Sequence, residues 1–355
     1  MFRWSYLYPL PSFAETNYFK RSTKIGTKIW IAGPNKKNTV DLIEFDTETN
    51  TTKKHECRID CVESQVLFME SDGDILYIWV GKERTPGRFM RDLESYTSTL
   101  FKVNTSSFEP QKVISLPSNM RPSNCIIADN KIYLVIKNPG CELIEINLLT
   151  EEVTRQKLDQ LCHKYFSDHF VMFHDEKMHI IEIDKKKSSR TVFRMENDIL
   201  EELSTDDPGF DPRFVPLGLF LNSMMLNKHQ STLEAFNFET NEWDKYTPEG
   251  YLLKNRHAYI DSFCEVNGKL YTIFNTSYPT NNYAILVLEP KPSLSTICLL
   301  NLADKLVEKD LIKIEEIKNQ LPIPLRMKLV NMLSWRKIEW EKYIYFQELQ
   351  KELAD

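Results

Sequence analysis

The chain has 355 residues, of which 42% are hydrophobic and 12% aromatic, with only 10 glycines and a formal charge of -6. That is enough for one large domain with an appendage or for two modest domains, and the composition excludes low-complexity disorder. The acidic balance argues against nonspecific nucleic-acid binding, which needs a basic surface to displace counterions. No stretch approaches the roughly 20 apolar residues that cross a bilayer.

The opening, MFRWSYLYPLPSF, lacks the unbroken apolar stretch of a signal peptide. Seven cysteines, an odd number scattered from Cys57 to Cys298, agree with a reducing compartment. The chain is therefore expected in the cytoplasm, with the nucleus as a second location. Within the opening, RWSYLYPLP (Arg3 to Pro11) reads as a strand, with Trp4 placed as Trp243 is in a later unit. The last unit stops one strand short, so the N-terminus is expected to pair into it and close a ring, leaving no open sheet edge.

From Trp30 onward a polar turn, a charged residue and an aliphatic-aromatic pair recur. The copies are GTKIWIAG at Trp30, DGDILYIWVG at Tyr77, DNKIYLVI at Tyr133, DEKMHIIEI at His179 and NGKLYTIF at Tyr271. The intervals are 47, 56, 46 and 92 residues, the last being two periods of 46. One copy has decayed, and the apolar strand LGLFLNSMML (Leu217 to Leu226) stands where it is expected.

A second pattern, an alternating strand that ends in an acid or amide, has six copies, ending at Asp46, Asn104, Asn147, Glu196, Glu239 and Glu289. Period-two alternation buries one side of a strand, and a terminal Asp or Asn can close the next turn through its own side chain. Units of this length holding several strands are the size of a propeller blade. The expected fold is mainly β: a six-bladed β-propeller over residues 1-291, with a string of unrelated hairpins as the plainer alternative.

In the second unit the loop GKERTPGRFMRDLESYTST (Gly81 to Thr99) interrupts the repeat. Long loops of this kind lie on the surface and often bind. Arg84, Arg88, Phe89 and Arg91 are candidate contacts to a protein substrate, although a merely solvated loop fits as well. TDDPGFDPRF (Thr205 to Phe214) and the loop at Tyr278 are weaker candidates for the same face.

His55, Cys57 and Cys61 are close together but lack a fourth ligand at zinc spacing. His169, His174 and His179 fall on strands and a turn that would not gather them on one ion. The sequence has no Gly-rich phosphate loop, nucleophile elbow or HExxH helix. No metal and no other cofactor is expected.

The fifth unit, LEAFNFETNEWDKYTP with Trp243 after its turn, and the first, KIWIAG followed by DLIEFDTETN, resemble kelch repeats. The likeness covers roughly residues 1 to 290. It departs from kelch where paired glycines should end the second strand, since only Ala32-Gly33 and Val80-Gly81 come close.

After Pro290 and Pro292 the composition turns to leucine-rich helical spacing, and residues 292-355 are expected to form a helical tail. Leu294, Cys298 and Leu302 recur every four residues with Ile297 beside them, and Ser293 is placed to cap the helix. This stretch resembles the elongin-binding BC box of SOCS-box proteins. Further on, Leu321, Pro322 and Pro324 followed by Leu325 and Leu329 resemble the cullin-selecting half of a SOCS box. Val330 and Asn331 replace the aromatic-aliphatic pair of that pattern.

The resemblance implies a non-catalytic substrate receptor of a cullin-RING ubiquitin ligase. Ser293, Leu294, Ile297, Cys298 and Leu302 would hold elongin C with elongin B. Leu321, Pro322, Pro324, Leu325 and Leu329 would select cullin-2, with cullin-5 as runner-up, and its RING protein. The propeller would capture a protein target for degradation, and an acidic one would suit a basic client such as a zinc-finger regulator of RNA. Two other readings stay open: a propeller scaffold whose tail is a self-packing cap, and a propeller enzyme.

Overall fold

The computed structural model describes residues 3-9, 21-35, 39-60, 65-81, 97-117, 125-137, 140-161, 167-184, 189-206, 216-220, 223-228, 232-246, 258-276 and 282-289, together with Leu325. Among them, 24 strands form six four-stranded sheets.

β1 (Arg3–Pro9) belongs to the last sheet. The first sheet joins β2 (Arg21–Ile25), β3 (Lys28–Pro34), β4 (Thr39–Asp46) and β5 (Thr51–Asp60) in that order. The second repeats the order with β6 (Gln65–Asp72), β7 (Ile75–Gly81), β8 (Thr97–Asn104) and β9 (Pro110–Pro117). The third has β10 (Cys125–Ala128), β11 (Lys131–Lys137), β12 (Cys141–Asn147) and β13 (Val153–Lys157). The fourth has β14 (Ser167–His174), β15 (Lys177–Asp184), β16 (Ser189–Glu196) and β17 (Ile199–Asp206). The fifth has β18 (Pro216–Phe220), β19 (Ser223–Lys228), β20 (Thr232–Asn237) and β21 (Glu242–Tyr246).

The sixth sheet joins the first strand of the chain to its last three. β22 (Ala258–Val266), β23 (Lys269–Thr276) and β24 (Asn282–Glu289) follow one another, and β1 runs antiparallel to β24 with Arg3 opposite Glu289 and Pro9 opposite Ala284.

The middle strands explain why their sequences read as continuous apolar runs: both faces are covered. Ile29 to Ala32, Leu76 to Val80 and Ile132 to Ile136 are all buried. Outer strands are wetter, and β13 buries no side chain fully.

Each recurring polar turn joins the first two strands of a sheet. Asp129-Asn130, Asp175-Glu176 and Asn267-Gly268 all take positive φ, as the type I′ hairpin requires, while Gly26 and Gly73 take it at the first central position. The second recurring turn is one loop built four times. The side-chain oxygens of Asp46, Asn104, Asn147 and Asn237 each accept the backbone N–H two residues on, at 2.8 to 2.9 Å. Four residues on, Asn50, Phe108, Glu151 and Asn241 adopt positive φ and donate back to the same residue's carbonyl at 2.8 to 2.9 Å. In the fifth sheet the closing residue is thus Asn237, two positions before the expected Glu239, because an amide on a short stem reaches the turn. The decayed copy, Leu217 to Leu226, is a hairpin rather than a single strand, with Gly218 opposite Met225.

The chain divides into two compact units. The larger, Phe13–Lys228 with Glu234–Lys245, contains the first four sheets and most of the fifth in a propeller-like arrangement. Its first strands lie side by side, β2 against β6, β6 against β10 and β10 against β14. Apolar layers fill the seams: Trp30, Leu42 and Ile59 meet Met69 and Ile78, and Trp79 and Leu100 meet Ile132 and Ile144. Val135 and Leu143 meet Val171 and Ile180, and Ile181 and Val192 meet Phe236.

Gly81, one of the kelch-like glycines, is required by this packing. A Cβ there would stand 2.8 Å from Leu67 Cδ1 and 3.0 Å from Ser98 Cβ. The smaller unit contains the sixth sheet, with Leu270, Ile273, Ile285 and Leu288 buried. The helical tail expected over residues 292-355 lies outside the described residues apart from Leu325.

Candidate functional site

First strands are where successive sheets of the larger unit meet, so polar side chains there are held by two or three elements at once. The junction of β2, β6 and β10 carries such a group. Arg21 Nε donates to the Leu67 carbonyl at 2.7 Å, and Ser71 Oγ donates to the Lys24 carbonyl at 2.6 Å. Between them Thr23 Oγ1 lies 3.3 Å from Glu70 Oε2 and 3.1 Å from Ser71 Oγ.

Glu70 is half-buried at the end of the apolar run of β6, and desolvation pushes its carboxyl up to about 7 against the smaller pull of the Ser71 N–H, the Thr23 hydroxyl and Lys24. On β10, Cys125 is buried, and its thiol is pushed well above its usual range by burial and by the Glu70 charge. A carboxyl that exchanges its proton near neutrality can bind, transfer or sense a proton.

A second group spans the fourth and fifth sheets. Arg190 on β16 and Glu234 on β20 form an ion pair at 2.5 Å, and both side chains are almost fully buried. The Arg190 guanidinium also lies 3.5 Å from the centre of the Trp243 ring. From Trp243 an aromatic path runs through Phe236 and Phe238 to His174 and His179, with ring centres 4.6 to 5.2 Å apart. Burial lowers the His179 imidazole to about 4, against the opposing pull of the Lys177 carbonyl, 3.1 Å from Nδ1.

His169 lies apart from that pair. Its Nε2 is 3.4 Å from Glu182 Oε1 and 3.8 Å from Cys141 Sγ. Thiol and acid approach the same ring nitrogen, so the trio lacks the relay of nucleophile, base and orienting acid. His55 stacks on Phe108 at 4.2 Å, with Nε2 3.1 Å from Glu44. Among the described residues no group of three or more His, Cys, Asp or Glu side chains is arranged to hold a metal.

The contacts read from sequence fall elsewhere. Arg84, Arg88, Phe89, Arg91 and Tyr278 lie outside the described residues, as do Ser293, Leu294, Ile297, Cys298 and Leu302 and also Leu321, Pro322, Pro324 and Leu329. Leu325 is half-buried. Sequence reasoning missed Glu70, Arg190 and Glu234. Glu70 and Glu234 stand beside apolar residues, in LFME and LEAF, which is a local signal, whereas Arg190 in SRTVFRME has none.

No protein-family model and no curated protein matches the sequence. Solved structures do match the fold. The structure of YjhT is similar over 78% of this chain and 96% of its own, at 10% identity and a TM-score of 0.52. A Trypanosoma rangeli sialidase in complex with the inhibitor DANA is similar over 86% of this chain and 59% of its own, at 11% identity and a TM-score of 0.53. An oligogalacturonate lyase from Vibrio parahaemolyticus matches over 74% of this chain and 75% of its own, at 12% identity and a TM-score of 0.43. At these identities the likeness concerns the fold alone. It corrects one expectation: a sialidase, an enzyme, shares this architecture, so the propeller gives no ground for classing the chain as non-catalytic.

Proposed function

We propose that this chain is the substrate-recognition subunit of an elongin B/C cullin-RING ubiquitin ligase, working in the cytoplasm or nucleus. In this reading the six sheets form one six-bladed ring, and the ring captures a target protein. The tail engages elongin C through Ser293, Leu294, Ile297, Cys298 and Leu302. Leu321, Pro322, Pro324, Leu325 and Leu329 select the cullin, cullin-2 ahead of cullin-5.

The observation that carries the proposal is the spacing Leu294, Cys298, Leu302, which begins five residues after β24 ends at Glu289. On a helix these side chains make one ridge, with a small cysteine between two leucines, and such a ridge fits a groove in a partner. The fold supports the other half, because a propeller presents many loops from rigid sheets and so offers a wide binding surface. From Ser293 to the end Lys+Arg and Asp+Glu balance at 10 each, so the net charge of -6 lies in the preceding residues and suits a basic client. The receptor's contribution is proximity, raising the effective concentration of target lysines near the loaded conjugating enzyme.

The test is co-expression of the full chain with elongins B and C. The wild-type chain should co-purify with both, and Leu294→Glu with Cys298→Asp should abolish the association while circular dichroism and melting stay unchanged. Retained binding by the double variant would refute the elongin assignment. Unfolding or aggregation of that variant would favour a tail packed on its own domain.

A further inference from the structure

We propose that Phe108 is a strained latch at the rim of the seam between the first and second sheets. Closed, it clips the turn between β8 and β9 onto β5. Open, it uncovers the thiol of Cys57.

Phe108 occupies the closing position of the loop that recurs in four sheets, where the backbone takes positive φ. The other three occupants, Asn50, Glu151 and Asn241, are exposed, whereas Phe108 is half-buried. A left-handed backbone brings Cβ close to the following carbonyl, and a short polar residue such as Asn accepts this more readily than a bulky ring does. At Phe108 φ is 57°. The turn pins it there, because the Phe108 N–H donates to the Asn104 carbonyl at 2.9 Å and the Asn104 side chain accepts from the Ser106 N–H at 2.8 Å. A conformation of this kind persists only where surrounding contacts outweigh its strain.

The first sheet supplies them. The Phe108 ring stacks on His55 of β5, with centres 4.2 Å apart and planes 15° from parallel, and its centre lies 6.1 Å from that of Trp30 on β3. The Phe108 carbonyl accepts from the Cys57 thiol of β5 at 3.7 Å. Glu44 orients His55 for the stack: its carboxylate lies 3.1 Å from Nε2 and is also paired with Lys28. Beneath the ring is an apolar layer shared by both sheets, with Leu42 and Cys57 from the first and Val66 and Met69 from the second.

Two opposed effects meet in this one residue. Its backbone gains by leaving the left-handed region, and its ring loses the stack by doing so. A residue balanced in this way opens locally, while the rest of the seam stays packed. The carbonyl–thiol contact is lost with it, and Cys57, fully buried in the closed form, becomes reachable from solvent.

The test is alkylation of the folded full chain, with the rate at Cys57 read against that at Cys141, a buried thiol of the third sheet. When alkylation is slow beside opening and closing, the rate follows the population of the open form. His55→Ala removes the stacking partner and leaves the strain, so the Cys57 to Cys141 ratio should rise by about tenfold. Phe108→Asn removes the ring and keeps the turn, since Asn50 and Asn241 hold the same position, and should raise the ratio as much. Strain is read separately: Phe108→Gly should melt at a higher temperature than Phe108→Ala, because glycine takes positive φ freely. A ratio unchanged in both His55→Ala and Phe108→Asn, or a glycine variant that melts below the alanine one, would overturn the proposal.

Discussion

The seam around Glu70 and the seam between the fourth and fifth sheets solve the same packing problem with opposite chemistry. The first holds a half-buried acid on which the nearby cation Lys24 has only a small pull, and desolvation raises its carboxyl to about 7. The second buries an acid with its cation, Glu234 with Arg190, and adds a histidine that burial lowers to about 4. Both have aliphatic and aromatic side chains around the charged groups. What differs is how strongly the acid is compensated, and a cation at hydrogen-bond distance makes the second seam a fixed joint.

The largest effect should come from breaking the fixed joint. Arg190→Ala takes the cation away from the buried Glu234 carboxylate and from the Trp243 face. A loss of about 3 to 5 kcal/mol is expected in urea unfolding. Arg190→Met combined with Glu234→Leu should recover most of it, since the pair's own net contribution is small beside the cost of orphaning one member. A double variant as unstable as the single one would mean that Trp243 packing, rather than the charge pair, holds the seam.

The next effects are the opposed pH slopes. Glu70, raised from 4.5 to about 7, contributes stability that is complete below 4.5 and gone above 7. His179, lowered from 6.5 to about 4, contributes stability that is complete above 6.5 and is lost as the pH falls toward 4. Each shift is worth roughly 3 kcal/mol over its window. The sum is a stability curve with little slope between pH 4.5 and 6.5, because the two slopes cancel there. Glu70→Gln should uncover a rise with pH and His179→Phe a fall with pH, read from melting temperatures at fixed ionic strength. Parallel curves for the two variants would break the comparison.

The turns were the most legible part of the molecule, for a physical reason. Asp46, Asn104 and Asn147 act through their own side chains on backbone two residues away, so the interaction is local and its signal is contiguous in sequence. The middle strands were legible through their apolar runs. The seams were not, because Thr23 and Glu70, or Arg190 and Glu234, are brought together only by the stacking of sheets 44 to 47 residues apart. Alternation says that a side chain is buried, and it says nothing of what it is buried against. Gly81 lies between these cases: the letter was visible, but its cause, the approach of Leu67 and Ser98, was not.

The smallest effect belongs to the turns and gives the comparison its control. Asn147→Ala removes a cap that accepts two N–H groups at 2.9 and 3.1 Å, for a cost of about 1 kcal/mol that should be the same at every pH. Asp46 makes the same loop with an ionisable oxygen, and the N–H groups of Thr49 and Glu48 hold its carboxyl below the usual 3.8. Asp46→Asn keeps the geometry and should cost less than about 1 kcal/mol, since the turn is open to solvent. Its signature is a shallower decline in stability as the pH falls below 3.8, with the curve unchanged near neutrality. A turn is thus expected to tune only the acid limit, whereas a carboxyl of the same chemistry half-buried at a seam, Glu70, acts up to pH 7, so the neutral-range slope is expected to arise where sheets meet.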